Sequence, residues 1–406
     1  VIRHERTMRP IAYQFLIRVF TSIYYLSLAI VSLIVPRKTA SKSTPESILI
    51  TGTFYSDQWL TTHLIPLAAS SRVKSIVMIA SSPVPEIKGV TAIYPNTFSK
   101  RILGEVGSRS LLFAWHGLKR RYDVVAGFHL LLNGMIAVLV GRLTRKRSLY
   151  FCGGGPREVS GGGYTTENKI YGRLHHPDQY LEKLLLKTID EFDVTVCMGS
   201  SAVDYFQSKR VTSRFAIIPG GFSSAEFFPT TKPKKFDLAL VGRLSEVKQV
   251  DLFLNAIALA KKSHPNITAV VVGDGPDRQA LEALSRTLGL SSNVTFAGWQ
   301  SNVADWLRNS KIFVLTSSSE GLSQALIQAL ICGLPAVVSN VGDLRDLVQT
   351  AFNGYLIDEL SAKNFAARFT LLLTNSILLK EMSEKAVIST RKFSVEEVAK
   401  TWQDCI

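Results

Sequence analysis

Two loops in the chain carry residues whose types and spacing suit phosphate and sugar chemistry. Gly242-Arg243-Leu244-Ser245-Glu246-Val247-Lys248 follows the β-branched run Phe236–Val241 and precedes a helical pattern at Val250, Phe253, Leu254 and Ile257. Two cations therefore flank a strand-to-helix turn. Charge-assisted hydrogen bonds from such a turn to a diphosphate contribute roughly 1.5–3 kcal/mol each, and amides at a helix start add fixed positive potential. An ordinary basic loop has the same composition. The second loop, Ser319-Glu320-Gly321-Leu322-Ser323-Gln324-Ala325, runs into a helix with Leu326, Ala329 and Leu330 on one side and stops at Gly333-Leu334-Pro335. A helix start attracts anions, so Glu320 ahead of it suits a sugar hydroxyl while the N–H groups of Gln324 and Ala325 suit a phosphate. A plain capping acid is the other reading. Between the two loops, Val272-Gly273-Asp274-Gly275-Pro276 signals only a tight turn.

Strands and helices must hold these loops, and past residue 45 short β-branched runs alternate with longer periodic ones, the pattern of βα units on a parallel sheet. The first half has Ser47–Thr51, Ser75–Ile79, Asp123–Ala126, Ser148–Phe151 and Asp193–Val196 as strands. The second has Phe236–Val241, Ile267–Val272, Val294–Phe296, Ile312–Leu315 and Ala336–Val338. At 406 residues the chain exceeds the ~250–300 that one core serves. The expected organisation is a basic and apolar N-terminal segment over 1–45, a Rossmann-like domain over 46–218, a turn-rich linker over 219–235, a second Rossmann-like domain over 236–390 and a closing helix over 391–406. Two doubly wound α/β domains facing each other would bind a ligand at the strand carboxyl ends.

A net charge of +15 points to an acidic partner. The four cysteines, Cys152, Cys197, Cys332 and Cys405, form no C-x-x-C pair and signal neither zinc nor a disulfide framework, which favours a reducing compartment. Val19 to Val35 is 17 residues without a charge, which as a helix reaches ~26 Å against a ~30 Å hydrocarbon core. Extending it back to Ile11 brings Gln14, Arg18, Ser22, Tyr25, Ala29 and Ser32 onto one polar or small stripe. That stripe argues for membrane contact with one face turned elsewhere. Arg3, Arg6, Arg9, Arg37, Lys38 and Lys42 flank both ends, so charge asymmetry sets no topology. Basic clusters at Lys119-Arg120-Arg121 and from Arg142 to Arg147 add an anionic lipid surface as a partner. No aromatic-interleaved basic motif speaks for nucleic acid.

The C-terminal half resembles the retaining GT-B glycosyltransferases of the family-4 type, the glycosyl transferases of group 1. The likeness rests on Ile218-Pro-Gly-Gly-Phe-Ser-Ser-Ala-Glu-Phe-Phe-Pro229, the Val-Gly-Arg-Leu followed by Lys248, Val272-Gly-Asp-Gly-Pro276, Ser319-Glu-Gly-Leu-Ser323, Gly333-Leu-Pro-Ala-Val-Val-Ser339 and Asn353-Gly-Tyr-Leu356. Phe393 to Trp402 looks like the family's closing helix, which returns to the first domain. The resemblance implies that Arg243 and Lys248 bind a donor diphosphate, and that Gly242 and, in the separate Val272-Gly-Asp-Gly-Pro276 turn, Gly273 belong to the donor site. It implies that Glu320 contacts the transferred sugar, that Gly321, Leu322, Ser323, Gln324 and Ala325 meet sugar and phosphate, and that Gln328 takes the place of a ribose-binding glutamate. Asp123-Val-Val-Ala-Gly-Phe-His129 resembles the strand that ends in the family's active-site histidine, and His129 would face the reacting sugar. The first loop, Gly52-Thr-Phe-Tyr-Ser-Asp57, departs from the family's paired glycines. Cys152-Gly-Gly-Gly-Pro156 and Gly161-Gly-Gly-Tyr-Thr165 flank Arg157 and Glu158 in a segment read as mobile, where an acceptor could enter.

The expected function is a membrane-associated glycosyltransferase with its catalytic domains on the cytoplasmic face. It would move a sugar with retention from a UDP- or GDP-linked donor to a lipid-linked saccharide or glycolipid. No Asp-x-Asp motif is present, so neither a metal nor a cofactor is expected. An inactive nucleotide-sugar-binding subunit and a sugar-nucleotide epimerase on the same fold are the alternatives.

Overall fold

The computed structural model describes residues 10–36, 46–54, 56–119, 121–166 and 168–406. The flanking Arg3, Arg6, Arg9, Arg37, Lys38 and Lys42, together with Arg120, lie outside the described residues. The chain divides into two compact units. One ends at Gly221 and takes back Val398–Ile406, and the other is Phe222–Glu397.

The first unit is a seven-stranded parallel sheet of β1 (Glu46–Thr51), β2 (Val73–Ile79), β3 (Val90–Ile93), β4 (Val124–Phe128), β5 (Arg147–Cys152), β6 (Val194–Cys197) and β7 (Arg214–Ile217), in the order 3-2-1-4-5-6-7. Its helices are α1 (Pro10–Ile34), α2 (Asp57–Ala69), α3 (Thr97–Leu118), α4 (Met135–Thr144), α5 (Gln179–Asp190) and α6 (Ser200–Ser208). The central strands β4, β5 and β6 are buried along their whole length, and β4 accordingly reads as an unbroken apolar run, whereas β5 opens on Arg147-Ser148 and β6 carries Thr195. The edge strands β3 and β7 are only partly buried and have no such run, so composition does not reveal them. Local signals set the helix starts. Ser56, Asn96 and Asp178 each accept a backbone N–H with the side chain at the first turn of α2, α3 and α5.

The second unit is a six-stranded parallel sheet in the order 10-9-8-11-12-13, built from β8 (Phe236–Val241), β9 (Ala269–Val272), β10 (Val294–Gly298), β11 (Ser310–Leu315), β12 (Ala336–Ser339) and β13 (Gly354–Ile357). Around it lie α7 (Val250–Ala260), α8 (Arg278–Thr287), α9 (Val303–Arg308), α10 (Gln324–Ile331), α11 (Ala362–Thr374) and α12 (Ser376–Ser389); α13 (Val395–Cys405) closes the chain. The stretch read as a linker is partly core, since Phe222 and Phe227 are buried among Leu326, Ile327 and Leu330 of this unit. From Val398 onward the chain belongs to the first unit. There Trp402, 1% exposed, lies 5.5 Å from the Phe151 ring, and Arg147 donates to the Cys405 carbonyl at 2.9 Å.

In both sheets the strand order reverses direction once, between β1 and β4 and between β8 and β11. At such a switch point the two adjoining loops part at the strand carboxyl ends and leave room for a ligand.

Candidate functional site

The loops at the β8/β11 switch point are stitched into one body. Thr316 Oγ1 donates to the carbonyls of Lys248 and Gln249 at 3.0 and 2.8 Å, and the Ser318 amide donates to Val247 O at 2.8 Å. Across that seam Lys248 Nζ donates to Glu320 Oε1 at 2.5 Å, and Ser317 Oγ donates to the same oxygen at 2.6 Å. The diphosphate-type cation and the hydroxyl-type carboxylate of the sequence analysis are thus each other's partners. Arg243, in the same loop as Lys248, is exposed and enters no ion pair among the described residues. The Ser323 side chain caps α10 by accepting from the Leu326 amide at 3.3 Å, so the Gln324 and Ala325 amides, at the first turn, have no helical acceptor. Gln328, one turn on, is 4% exposed and offers a ligand only a narrow edge.

The Gly273 turn, weak as a motif, has a definite reason to be glycine. Its φ is +138°, and a Cβ there would stand 1.9 Å from Gly242 O; one on Gly275 would stand 2.1 Å from Leu244 O. The Leu244 amide donates to Asp274 O at 2.9 Å. The turn therefore props the Gly242–Lys248 loop from behind by backbone contact that no side chain permits.

At the β1/β4 switch point of the first unit, β4 ends at Phe128 and the chain turns sharply through His129, whose φ of +63° is one that non-glycine residues rarely adopt. A buried carboxylate holds this strained turn. Glu158 accepts from His129 Nδ1 at 2.9 Å, from the Leu130 amide at 2.6 Å, from the Gly154 amide at 2.6 Å and from Tyr150 Oη at 2.8 Å. Burial alone would push the Glu158 carboxyl up, but the His129 ring and the two amides outweigh it and hold the group below its usual range. The imidazole also lies against Trp59, rings 6.0 Å apart and 16° from parallel. His63, fully buried under the same aromatic layer, is driven down to about 3 by burial and then by His129.

The expectation of a mobile acceptor loop around Arg157 and Glu158 is corrected here. Glu158 is 3% exposed, and Gly161, Gly162 and Gly163 are buried at positive φ, so the segment is packed framework. Its glycines are there for φ and close approach. Gly52 is likewise structural, since a Cβ would come within 2.7 Å of Phe128 Cβ. Sequence reading passed over Glu158 and Trp59 as partners of His129 because they lie far along the chain from it, and only the fold joins them.

Helix α1 uses its polar stripe inward. Gln14 Nε2 and Arg18 Nε donate to Asp178 Oδ2 at 2.7 and 2.6 Å, Ser22 pairs with Tyr180 at 2.8 Å, and Ser32 donates to Glu191 at 2.8 Å. Burial raises the Asp178 carboxyl, and Arg18 with Gln14 more than reverses this. The opposite face carries Phe15, Phe20, Ile23, Leu26, Ile30 and Leu33, all exposed. By length and composition α1 is apolar enough to cross a membrane, with a mean hydropathy of 1.8.

With this geometry in view, comparison with known proteins places the second unit. Residues 223–388 match the family "Glycosyl transferases group 1". A Haemophilus influenzae protein described as an uncharacterized glycosyltransferase is 27% identical over 239 residues, 56% of this chain and 67% of its own length. The GalNAc-alpha-(1->4)-GalNAc-alpha-(1->3)-diNAcBac-PP-undecaprenol alpha-1,4-N-acetyl-D-galactosaminyltransferase of Campylobacter jejuni is 27% identical over 240 residues, 56% of this chain and 65% of its own length. The fold of HepE from Anabaena, solved in complex with UDP, superposes with a TM-score of 0.67 at 16% identity, over 87% of this chain and 97% of that one.

Proposed function

We propose, for a chain whose residues 223–388 belong to the group 1 glycosyl transferases and whose two units have the GT-B fold, that it transfers a sugar from a nucleotide diphosphate donor to a lipid-linked acceptor at a membrane. The observation that carries this reading is the stitched loop pair of the second unit. Lys248, Arg243 and the open Gln324 and Ala325 amides are the groups a leaving diphosphate requires as its charge develops, and Glu320 beside them suits a sugar hydroxyl. Gly242, Gly273, Gly321, Leu322 and Ser323 supply backbone around that locus, and Gln328 takes a ribose hydroxyl through its exposed edge. Neither a metal nor a cofactor is invoked for these steps. His129, held by Glu158, serves the acceptor side. A UDP-bound fold neighbour and a relative acting on an undecaprenol diphosphate support a uridine donor and a lipid-linked acceptor. Retention at the anomeric carbon goes with the resemblance of the whole motif series.

The test is incubation of the full chain with labelled UDP- and GDP-sugars and a polyprenyl diphosphate saccharide, followed by product analysis. Transfer with retained configuration is expected. Nucleotide binding without turnover would leave the inactive subunit, and a changed free sugar nucleotide would leave the epimerase.

Attachment to the membrane is proposed through the outer face of α1 lying in the bilayer interface rather than through a span. A spanning helix would have to give up the Asp178, Tyr180 and Glu191 bonds that its polar stripe makes. The units would lie on the cytoplasmic face, where four buried free thiols are at home. A triple substitution Phe15→Glu, Ile23→Glu and Leu33→Glu on the exposed face removes three side chains worth about 1.5–3 kcal/mol each when buried in lipid. It is expected to move the protein from anionic vesicles to the supernatant with its melting temperature unchanged. Undiminished co-sedimentation would assign attachment elsewhere.

A further inference from the structure

The first unit contains a cavity of about 560 Å³ lined by, among others, His129, Asn133, Arg109, Ser81, Val106 and Ile170. Arg109, on α3, is 2% exposed. Its Nη1 donates to Ser81 Oγ at 2.9 Å and its Nη2 to Asn133 Oδ1 at 2.8 Å, while its Nε is buried without a partner. Among the described residues no carboxylate forms an ion pair with it. A buried guanidinium normally comes with a counter-charge, because neutral acceptors offset little of its lost hydration. Burial accordingly pulls the Arg109 pKa down, with Glu105 opposing only in part.

We infer that Arg109 is the anion-binding residue of an acceptor-side subsite that takes a phosphate or diphosphate group. The frame around it fits that chemistry. Asn133, which holds the guanidinium, also donates to Phe128 O at 2.9 Å, so the cation is tied to the end of β4 one residue before His129. One cavity thus offers a fixed cation for an anionic group and a held imidazole for a hydroxyl on the same ligand. The other charges lining the cavity do not satisfy Arg109. Glu158 is taken up by His129, Tyr150 and two amides, Asp57 and Glu105 are exposed, and Lys169 adds a second, exposed cation. Exposed apolar side chains of α3 stand on either side of its kink at Gly104, with Phe98, Ile102 and Leu103 before it and Val106, which lines the cavity, after it. A phosphate carried on a lipid could therefore reach Arg109 from that side, whereas a free phosphorylated compound would enter from solvent.

The subsite rests on the transferase reading for its role and not for its detection. In the full chain labelled with ¹⁵N-arginine, the Arg109 Nε–H resonance is followed as inorganic pyrophosphate is added, and separately as phosphatidylcholine vesicles containing a polyprenyl diphosphate are added. A saturable shift is expected with both probes. A shift with pyrophosphate alone keeps the site and assigns it to a free phosphorylated acceptor. An unmoved resonance with both probes overturns the proposal. With the nucleotide locus of the second unit saturated by UDP, calorimetric titration of pyrophosphate should show at least tenfold weaker binding in Arg109→Gln and a smaller loss in Arg109→Lys, and wild-type affinity in Arg109→Gln would also overturn it. An intact shift in a chain that transfers no sugar would remove the transferase reading alone.

Discussion

His129→Ala is expected to lower turnover by about 10²–10⁴-fold while donor affinity stays within a factor of two, the range for loss of a positioned acid or base. The fold spends strain to place this ring. A φ of +63° at a non-glycine residue costs on the order of 1–3 kcal/mol, and the Leu130 amide is pinned to Glu158 to maintain it. A histidine kept only for packing would not require such a turn. Glu158→Gln tests the support directly. The carboxylate takes four donors on two oxygens, whereas a glutamine offers one oxygen and sets an NH₂ against donors that remain. The variant should lose turnover nearly as far as His129→Ala and melt earlier by the equivalent of about 3–5 kcal/mol. The pH dependence follows in sign. Because the folded carboxyl ionises below its ordinary value of 4.5, its stabilisation is complete above that pH and drains away as pH falls through the lowered folded value. Melting curves of Glu158→Gln should lack that acid-side loss. Normal turnover in His129→Ala would end the assignment.

Much of the scaffold is visible in the chain because parallel strands buried on both faces have no polar alternation to hide them. Val124–Phe128 and, past Asp237, Leu238–Val241 announce themselves in that way. The strands β3, β7 and β13 do not. Two are partly exposed, and the third opens on Gly354, whose absent Cβ lets the Ala336 backbone approach. The loops of the second unit were legible because their chemistry is local, with Arg243, Lys248 and Glu320 each standing directly beyond a strand or before a helix. What composition could not disclose is pairing. That Lys248 meets Glu320, that His129 leans on Glu158 and that Arg109 has no carboxylate partner among the described residues are facts of three-dimensional neighbourhood. The polar stripe of α1 lay between these cases. Its period was readable, but its partner, chiefly Asp178, belongs to a distant helix cap.

The pairing of Lys248 with Glu320 sets the terms of the other large expected effect. Lys248→Ala should reduce kcat/KM by about 10²–10³-fold, as when one preorganised donor to a developing anion is removed. It also strands Glu320, whose side chain is 9% exposed and would keep, among the described residues, only the Ser317 hydroxyl, at a cost of about 1–3 kcal/mol in stability. Two roles for the lysine therefore have to be separated: neutralising Glu320, and meeting the diphosphate. Arg243→Ala supplies the reference, because Arg243 is exposed and has no ion-pair partner among the described residues, so its loss should weaken donor binding and leave the melting temperature alone. The double variant Lys248→Ala/Glu320→Gln decides. Removing the stranded charge should restore stability to within about 0.5 kcal/mol of the parent, since a neutral amide in that position no longer demands a cation. If Lys248 faces the diphosphate, donor affinity measured by calorimetry stays as low in the double variant as in Lys248→Ala. If it recovers together with stability, the lysine serves the carboxylate alone, and Arg243 with the Gln324 and Ala325 amides must carry the leaving group by themselves.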